Sequence, residues 1–582
     1  MCGLLGVCGA DESNAGRVAE LLSQMAHRGP DDSGTWSDVG VVLGHCRLEI
    51  QDLTEKSHQP GLCEDGRRIL LYNGEVYNHA KLTREPLPSD TLALCAEPPL
   101  NPAALRGMFA LAIWEGSQRR LELTRDRFGI KPLYYAADEE QIAFASYARS
   151  AADLVGSTEV DPAAVASYLR FGSVQGPKSV FSGVSEVPPG STLTWRAGCP
   201  LGVQSFAESP VRPRRRSRRQ VENALRESIR VHTLSDVPVA VFLSAGVDST
   251  LIATLAADAK LDVTAITLGL PGHGLDEAAQ AAQTARRLGI PHQVVNITDE
   301  DIDFDAFFAS MDQPSIDGLN TYLVAQAAKR VGFRVALSGL GADELFAGYS
   351  LFRRLPAMAL VARVVPERAY LQLLRRLGHG EKAQETVSAG ADVARLHEVL
   401  RSLWSAEDVL TLTGQRLPHG DGLGSSSWSM NNLTELELTS YTVNTLMRDA
   451  DVFGMAHSVE IRTPFLDHEV LDVALGYSSW AKAIPTKRLL RGMLKDRGLE
   501  HVLTRKKTGF VLPYNEWLAG PLSMRVAQLA NGPLPDLLNG PGSRGLLADP
   551  SILSTMKLWS LVVLDAWLRR QVESVHPAAV DG

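Results

Sequence analysis

Apolar and polar positions divide the chain into stretches of different period. Val239, Ala240, Val241, Phe242 and Leu243 form an unbroken apolar run, as in a strand buried on both faces, and it stops at the small polar turn Ser244-Ala245-Gly246-Val247-Asp248-Ser249. Leu251, Ile252 and Leu255 then recur at helical spacing. Strand-like runs follow over 263–268, 293–297 and 334–337, with a helical pattern over 277–288 between the first two, which predicts a doubly wound α/β unit whose ligands gather at the strands' C-terminal ends. Val221, Leu225 and Ile229 mark an amphipathic helix ahead of that unit. Nearer the N-terminus, Leu121-Glu122-Leu123-Thr124 and Ile142-Ala143-Phe144-Ala145 read as strands of a β-rich layered domain. From about 355 to 424 and again from 433 to 475 the period is helical, which predicts a helical cap with Arg353, Arg354, Arg375 and Arg376 solvated. Residues 531–549, rich in Gly and Pro, read as a surface loop.

The length of 582 residues allows two to four domains, and the 45% hydrophobic content is that of a globular protein. A net charge of −9 argues against a general nucleic-acid binder, and the absence of a run of 18 apolar residues argues against a membrane span. The N-terminus lacks the basic and apolar regions of a signal peptide, so the chain reads as cytoplasmic. The six cysteines lie in roughly the first third with no CxxC pair, which indicates neither a disulfide framework nor a zinc site. The Arg/Pro-rich run 210–219 reads as a connector, giving expected boundaries of 1–205, a linker at 206–219, and 220–582.

Two stretches carry chemistry. The turn at 244–249 joins a strand's end to a helix's start, where backbone N–H groups and the helix dipole favour an anion, and no GxxxxGK[ST] is present. At the other end of the chain, loss of Met1 would leave Cys2 with a free amine of pKa ~7.7–8 beside its thiol, so that one residue supplies both nucleophile and base. A helix cap and a buried structural cysteine are the plain alternatives for each stretch taken singly.

Neither stands singly. The 244–249 turn resembles the SGGxDS loop of the ATP pyrophosphatases, with Ala245 replacing the first glycine. Cys2-Gly3, His27-Arg28-Gly29-Pro30-Asp31, Gly44-His45-Cys46-Arg47-Leu48, Tyr72-Asn73-Gly74-Glu75 and Ser89-Asp90-Thr91 follow in order, and then Arg125-Asp126-Arg127-Phe128-Gly129-Ile130-Lys131-Pro132. Together they resemble the glutaminase domain of amidotransferases with an N-terminal cysteine nucleophile. With Ser338-Gly339-Leu340-Gly341-Ala342-Asp343-Glu344-Leu345, 455–467, 487–491 and 505–510, the chain resembles the glutamine-hydrolysing asparagine synthetases over nearly its full length.

That resemblance implies an αββα N-terminal-nucleophile sandwich of α+β class, followed by a doubly wound α/β ATP-pyrophosphatase domain with a helical cap. It implies that Cys2 attacks glutamine, that Asn73 and the Gly74 N–H form an oxyanion hole, that Arg47 takes the glutamine carboxylate, and that Glu75 and Asp90 take its ammonium. ATP would lie against Leu243, Ser244, Gly246, Asp248, Ser249, Leu268, Ser338 and Gly339, with Mg²⁺ on Asp248 and Asp343 and Lys507 neutralising the phosphates. The implied substrates are glutamine, ATP and a carboxylate such as aspartate, with no nucleic acid or membrane, and the family suggests a homodimer. An amide-forming or ring-closing enzyme acting on another carboxylate is the alternative reading.

The chain also departs from the family. Cys46, Glu49 and Gln51 surround Arg47 where other residues are usual, and 78–89 is short. Leu340 stands where an acid is usual, and Asp317 and Asn320 stand where a basic group for aspartate's second carboxylate is expected.

Overall fold

In the computed structural model of the chain, residues 2–9, 14–63, 65–96, 101–207, 215–271, 277–378, 380, 382–417, 429–477, 486–504 and 512–575 are described. The N-terminal part is a sandwich of two six-stranded sheets. One runs in the order Ser185–Glu186, Tyr134–Ala137, Ile142–Ala145, Cys2–Cys8, Val41–Arg47, Asp32–Asp38; the other in the order Gly202–Ser205, Ser191–Arg196, Arg120–Arg125, Gly107–Glu115, Arg68–Val76, Gly61–Leu62. All pairings in the two sheets are antiparallel.

The period of two decides the layers. Leu4 and Cys8 join Leu43, Leu71, Ala112 and Leu123 between the sheets. Leu5 and Val7, on the opposite face, pack with Val18, Leu21 and Ala151 from the helices Asn14–Gln24 and Ala148–Val155. The outer face of the second sheet is covered more thinly, by Leu94 of the short helix Asp90–Ala96 against Leu70, Tyr72 and Leu111. The architecture is αββα.

The second part is built on a five-stranded parallel sheet in the order His292–Asn296, Val263–Gly269, Val239–Phe242, Val335–Leu337, Glu460–Arg462. The chain winds outward from Val239–Phe242 in one direction and then returns to its other side at Val335–Leu337. The loops after those two neighbouring strands therefore diverge, and a crevice opens between them.

Three expectations change. The strand Glu460–Arg462 lies inside a stretch read as helical cap; its Glu-Ile-Arg sequence carries no apolar run, and its charges are buried only because each meets an opposite charge. Residues 531–549 are no surface loop, since Leu534, Leu538 and Leu547 are buried against the long helix Thr555–Val575. The helix expected from Val221 begins at Arg218, inside the expected linker, where Ser217 and Gln220 form a capping box; residues 208–214 of that linker lie outside the described residues. The cap is otherwise helical, and Arg353, Arg354, Arg375 and Arg376 are exposed.

The two parts meet through buried ion pairs. Arg28 meets Asp451 at 2.7 Å, Glu186 meets Arg448 at 2.6 Å, Arg106 meets Asp467 at 2.7 Å, and Glu75 meets Arg462 at 3.0 Å. Among the described residues, no helix is long and apolar enough to cross a membrane.

Candidate functional site

Cys2 opens its strand in register with Arg47, and it is buried. Its backbone N–H donates to Asn73 Oδ1 at 3.0 Å, and its carbonyl accepts from Arg28 Nε at 3.2 Å. Burial pushes the Cys2 thiol up. Because the Asn73 oxygen is taken by Cys2, the amide orientation follows, and Asn73 Nδ2 is a fully buried donor with no partner. An unspent buried donor beside the Cys2 backbone is a feature an oxyanion hole would use. Gly74 has a φ of 149°, and a Cβ there would overlap the Met108 carbonyl, so the strand can be carried past the site only by glycine.

The residues expected at glutamine surround Cys2 and are engaged with the protein. Arg47 donates from Nη1 to the Thr54 carbonyl at 3.1 Å and to Glu49 at 3.2 Å, and from Nη2 to the Gln51 carbonyl at 3.3 Å and to that of Asp52. Asp90 accepts from the Tyr72 hydroxyl at 2.7 Å and from the Val76 and Thr91 N–H groups at 3.0 and 2.8 Å. Glu75 accepts from Gln51 and pairs with Arg462. Burial pushes Glu75 well up, with Arg462 opposing.

The second centre is a cavity of about 570 Å³ at the crevice of the parallel sheet. Leu243, Ser244, Gly246, Asp248, Ser249, Leu268, Ser338, Gly339 and Asp343, each expected at ATP or its metal, all line it. The helix Val247–Asp258 starts there with Gly246 at its N-cap and no side-chain cap bond. The loop is braced internally: Ser249 Oγ lies 2.8 Å from Ser244 Oγ, and Ala245 N–H donates to Glu277 at 3.1 Å. An uncapped helix N-terminus facing a cavity fits a phosphate.

Lys487, in the 487–491 stretch that carries the resemblance, had no role expected of it. Its ammonium reaches Asp343 at 2.6 Å and also contacts Asp248, so one cation bridges the two acids expected to hold Mg²⁺. Two carboxylates that share a cation in this way fit Mg²⁺ bound with phosphate oxygens. Burial works to lower the Lys487 pKa, but the two carboxylates outweigh it and leave it raised. Gly348 is required by close approach, because a Cβ there would overlap both Asp343 Oδ1 and the Lys487 stem. Lys487 also has a φ of 54°, in the left-handed region. Lys507, expected in this role, lies outside the described residues.

The far wall is acidic and aromatic. Tyr441 donates to Asp317 at 2.6 Å, Tyr349 donates to Glu344 at 2.7 Å, and Leu340 lies on the cavity lining with them. Tyr441 and Leu446 come from a π-helical stretch, Leu438–Met447, within the long helix running to Met455. The Arg401 guanidinium stacks on the rings of Tyr349 and Tyr441, 4.5 and 4.0 Å from their centroids, and is held by Glu437 at 2.9 Å.

Arg462 links the two centres. Its side chain meets Glu75, two residues from Asn73, and its carbonyl accepts the Ser338 N–H of the second loop at 2.8 Å.

Residues 220–569 match the family described as asparagine synthase, and residues 1–202 match the glutamine amidotransferase domain. The chain is 31% identical over 562 residues to "Asparagine synthetase [glutamine-hydrolyzing] 1" of Bacillus subtilis (strain 168), covering 90% of this chain and 89% of that protein. It is 33% identical over 594 residues, again with 90% and 89% covered, to "Putative asparagine synthetase [glutamine-hydrolyzing]" of Mycobacterium tuberculosis (strain ATCC 25618 / H37Rv). It is also 26% identical over 584 residues to "Amidase chyE" of Penicillium rubens, covering 87% of this chain and 86% of that protein.

Proposed function

The chain belongs to the asparagine synthase family, and from that premise we propose a two-site ligase that moves the amide nitrogen of glutamine onto a carboxylate activated by Mg-ATP. The observation that carries the proposal is the cavity lined by every described residue expected at ATP, joined through Arg462 to the cysteine site.

At the first site, with Met1 removed, the Cys2 amine takes the thiol proton and Sγ attacks the glutamine amide carbon. Asn73 Nδ2 and the Gly74 N–H stabilise the oxyanion. The C–N bond breaks with return of the proton, ammonia leaves, and water hydrolyses the thioester to glutamate. Arg47, Glu75 and Asp90 form the glutamine pocket beside Cys2, their present partners giving way to the substrate's charged groups.

At the second site an acceptor carboxylate oxygen attacks the α-phosphorus, and the bond to pyrophosphate breaks. Ammonia then attacks the acyl carbon, and AMP leaves with release of a proton. Lys487 and the N–H groups of the helix's first turn at 247–248 stabilise the departing pyrophosphate, and Asp248 with Asp343 would hold Mg²⁺ on the phosphates. Mg²⁺ supplies charge neutralisation there. Aspartate is the acceptor that the family's name points to, and a homodimer is the assembly expected from the family.

The test is pyrophosphate release with mass analysis of the product, using Mg-ATP and either glutamine or ammonium, on the parent and on Cys2→Ala. The expected result is amide formation with both donors by the parent and with ammonium alone by the variant. Equal glutamine-driven turnover by Cys2→Ala would refute the proposal.

A further inference from the structure

Among the described residues, the wall facing the phosphate loop carries two carboxyls, Asp317 and Glu344. Both phenols spend their protons on carboxylates, Tyr441 on Asp317 and Tyr349 on Glu344. Asn320, also on the lining, has a buried Oδ1 with no hydrogen bond. Leu340, also on the lining, is apolar.

The cations among the described lining residues are Lys487 and Arg491, and neither belongs to this wall. Lys487 bridges Asp248 and Asp343, and Arg491, on the helix Arg488–Lys495, donates to the Leu503 carbonyl at 2.7 Å. Arg401 is not on the cavity lining; it is stacked on the rings of the two tyrosines and held by Glu437. The carboxyls on this wall are Asp317 and Glu344, with Asp449 bonded to Ser315 nearby.

A second carboxylate on the acceptor would meet the carboxyls of Asp317 and Glu344 here, whereas an ammonium would gain a charge-assisted contact with Asp317. We propose that the acceptor is a monocarboxylic acid with a protonated amine at its far end and no second carboxylate, seated with that amine against Asp317 and its carboxylate toward Lys487. This rests on the ligase reading above and specifies its substrate class. The reaction balances as before: only the reacting carboxylate is consumed, and the amine stays protonated.

The experiment uses the full chain with Mg-ATP and ammonium, so that Cys2 plays no part, and measures pyrophosphate release. The acceptors are L-aspartate, L-glutamate, benzoate, 4-aminobutyrate, 6-aminohexanoate and 4-(aminomethyl)benzoate. At least one amine-bearing monocarboxylate is expected to exceed both dicarboxylates in kcat/KM by about ten- to hundred-fold, the worth of one charge-assisted contact. Asp317→Asn should remove most of that advantage through KM, and Asp317→Lys should turn the preference toward L-glutamate. Melting temperatures of both variants separate a specificity change from a folding defect, and Asp317→Asn alone suffices if the lysine variant does not fold. Preference for L-aspartate, or an unaltered ranking in a folded Asp317→Asn, would overturn the acceptor assignment and leave the ligase standing. ATP binding without pyrophosphate release for any acid would overturn both.

Discussion

Replacing Lys487 by alanine tests the second site most directly. The ammonium lies 2.6 Å from Asp343 and contacts Asp248, and its side chain is only 7% exposed, against 20% and 21% for the two acids. At an effective dielectric near 20, each such contact is worth about 4 kcal/mol of Coulomb energy, most of it offset by the cost of taking the charges out of water. Removing one partner of a fully buried pair costs ~3–5 kcal/mol, and the partial exposure of both acids brings the expected loss of stability to about 2–3 kcal/mol. The larger effect falls on the reaction. Without Lys487 two carboxylates face the departing pyrophosphate with no protein cation between them, and loss of one preorganised electrostatic group lowers turnover by about 10²- to 10³-fold. The assay is single-turnover pyrophosphate release with ammonium and saturating Mg-ATP. Lys487→Arg, which keeps the charge but not its compact shape, should fall between parent and alanine variant. A folded Lys487→Ala within about five-fold of the parent would remove Lys487 from the chemistry.

Three further outcomes are expected. Asn73→Ala deletes the unspent Nδ2 donor and should lower glutamine hydrolysis by about 10²- to 10³-fold, read as glutamate release; a loss of less than about five-fold would contradict the oxyanion role. Arg462→Met leaves Glu75 and Glu460 buried without their shared cation and should cost about 3–5 kcal/mol in denaturant unfolding, where a variant as stable as the parent would refute the pairing. Glu344 holds its proton up to about pH 7 in the folded chain, but releases it near pH ~4.3 when unfolded. Its contribution is therefore fully present below that unfolded value and is lost as pH rises toward 7. Glu344→Gln, which keeps an acceptor for Tyr349, should gain up to about 3 kcal/mol over the parent between pH 4 and 8, and parallel stability curves would refute the shift.

What could be read from the sequence follows from how each element satisfies its groups. Val239–Phe242 was legible because a parallel strand covered on both faces must be apolar throughout, and the small polar turn that follows marks the strand's end. Glu460–Arg462 is equally buried but is written in charges, and those are tolerable only because Glu75, distant in sequence, meets Arg462. Neither residue reveals that alone. The same holds for Lys487: a lysine beside Arg488 at a helix start looks like a solvated face until Asp248 and Asp343 converge on it. Residues 531–549 mislead in the opposite direction, since Gly and Pro announce turns while Leu534, Leu538 and Leu547 fill the core.

The acceptor wall carries this contrast into function. Leu340 and Asp317 were visible as departures from the family, both expected near the acceptor but on distant segments. The fold brings them together with Tyr349, Glu344 and Tyr441 around one cavity, so the departures become a single change in what that wall can bind. Motifs report chemistry that needs particular residue types at fixed spacing, as expected of the turn at 244–249 and of Cys2. Acceptor choice needs only complementary charge and shape, which many segments supply jointly. It therefore becomes legible when the wall is assembled, and Asp317 on a wall across the cavity from Lys487 is what leads to the proposal of a substrate that brings its own positive charge.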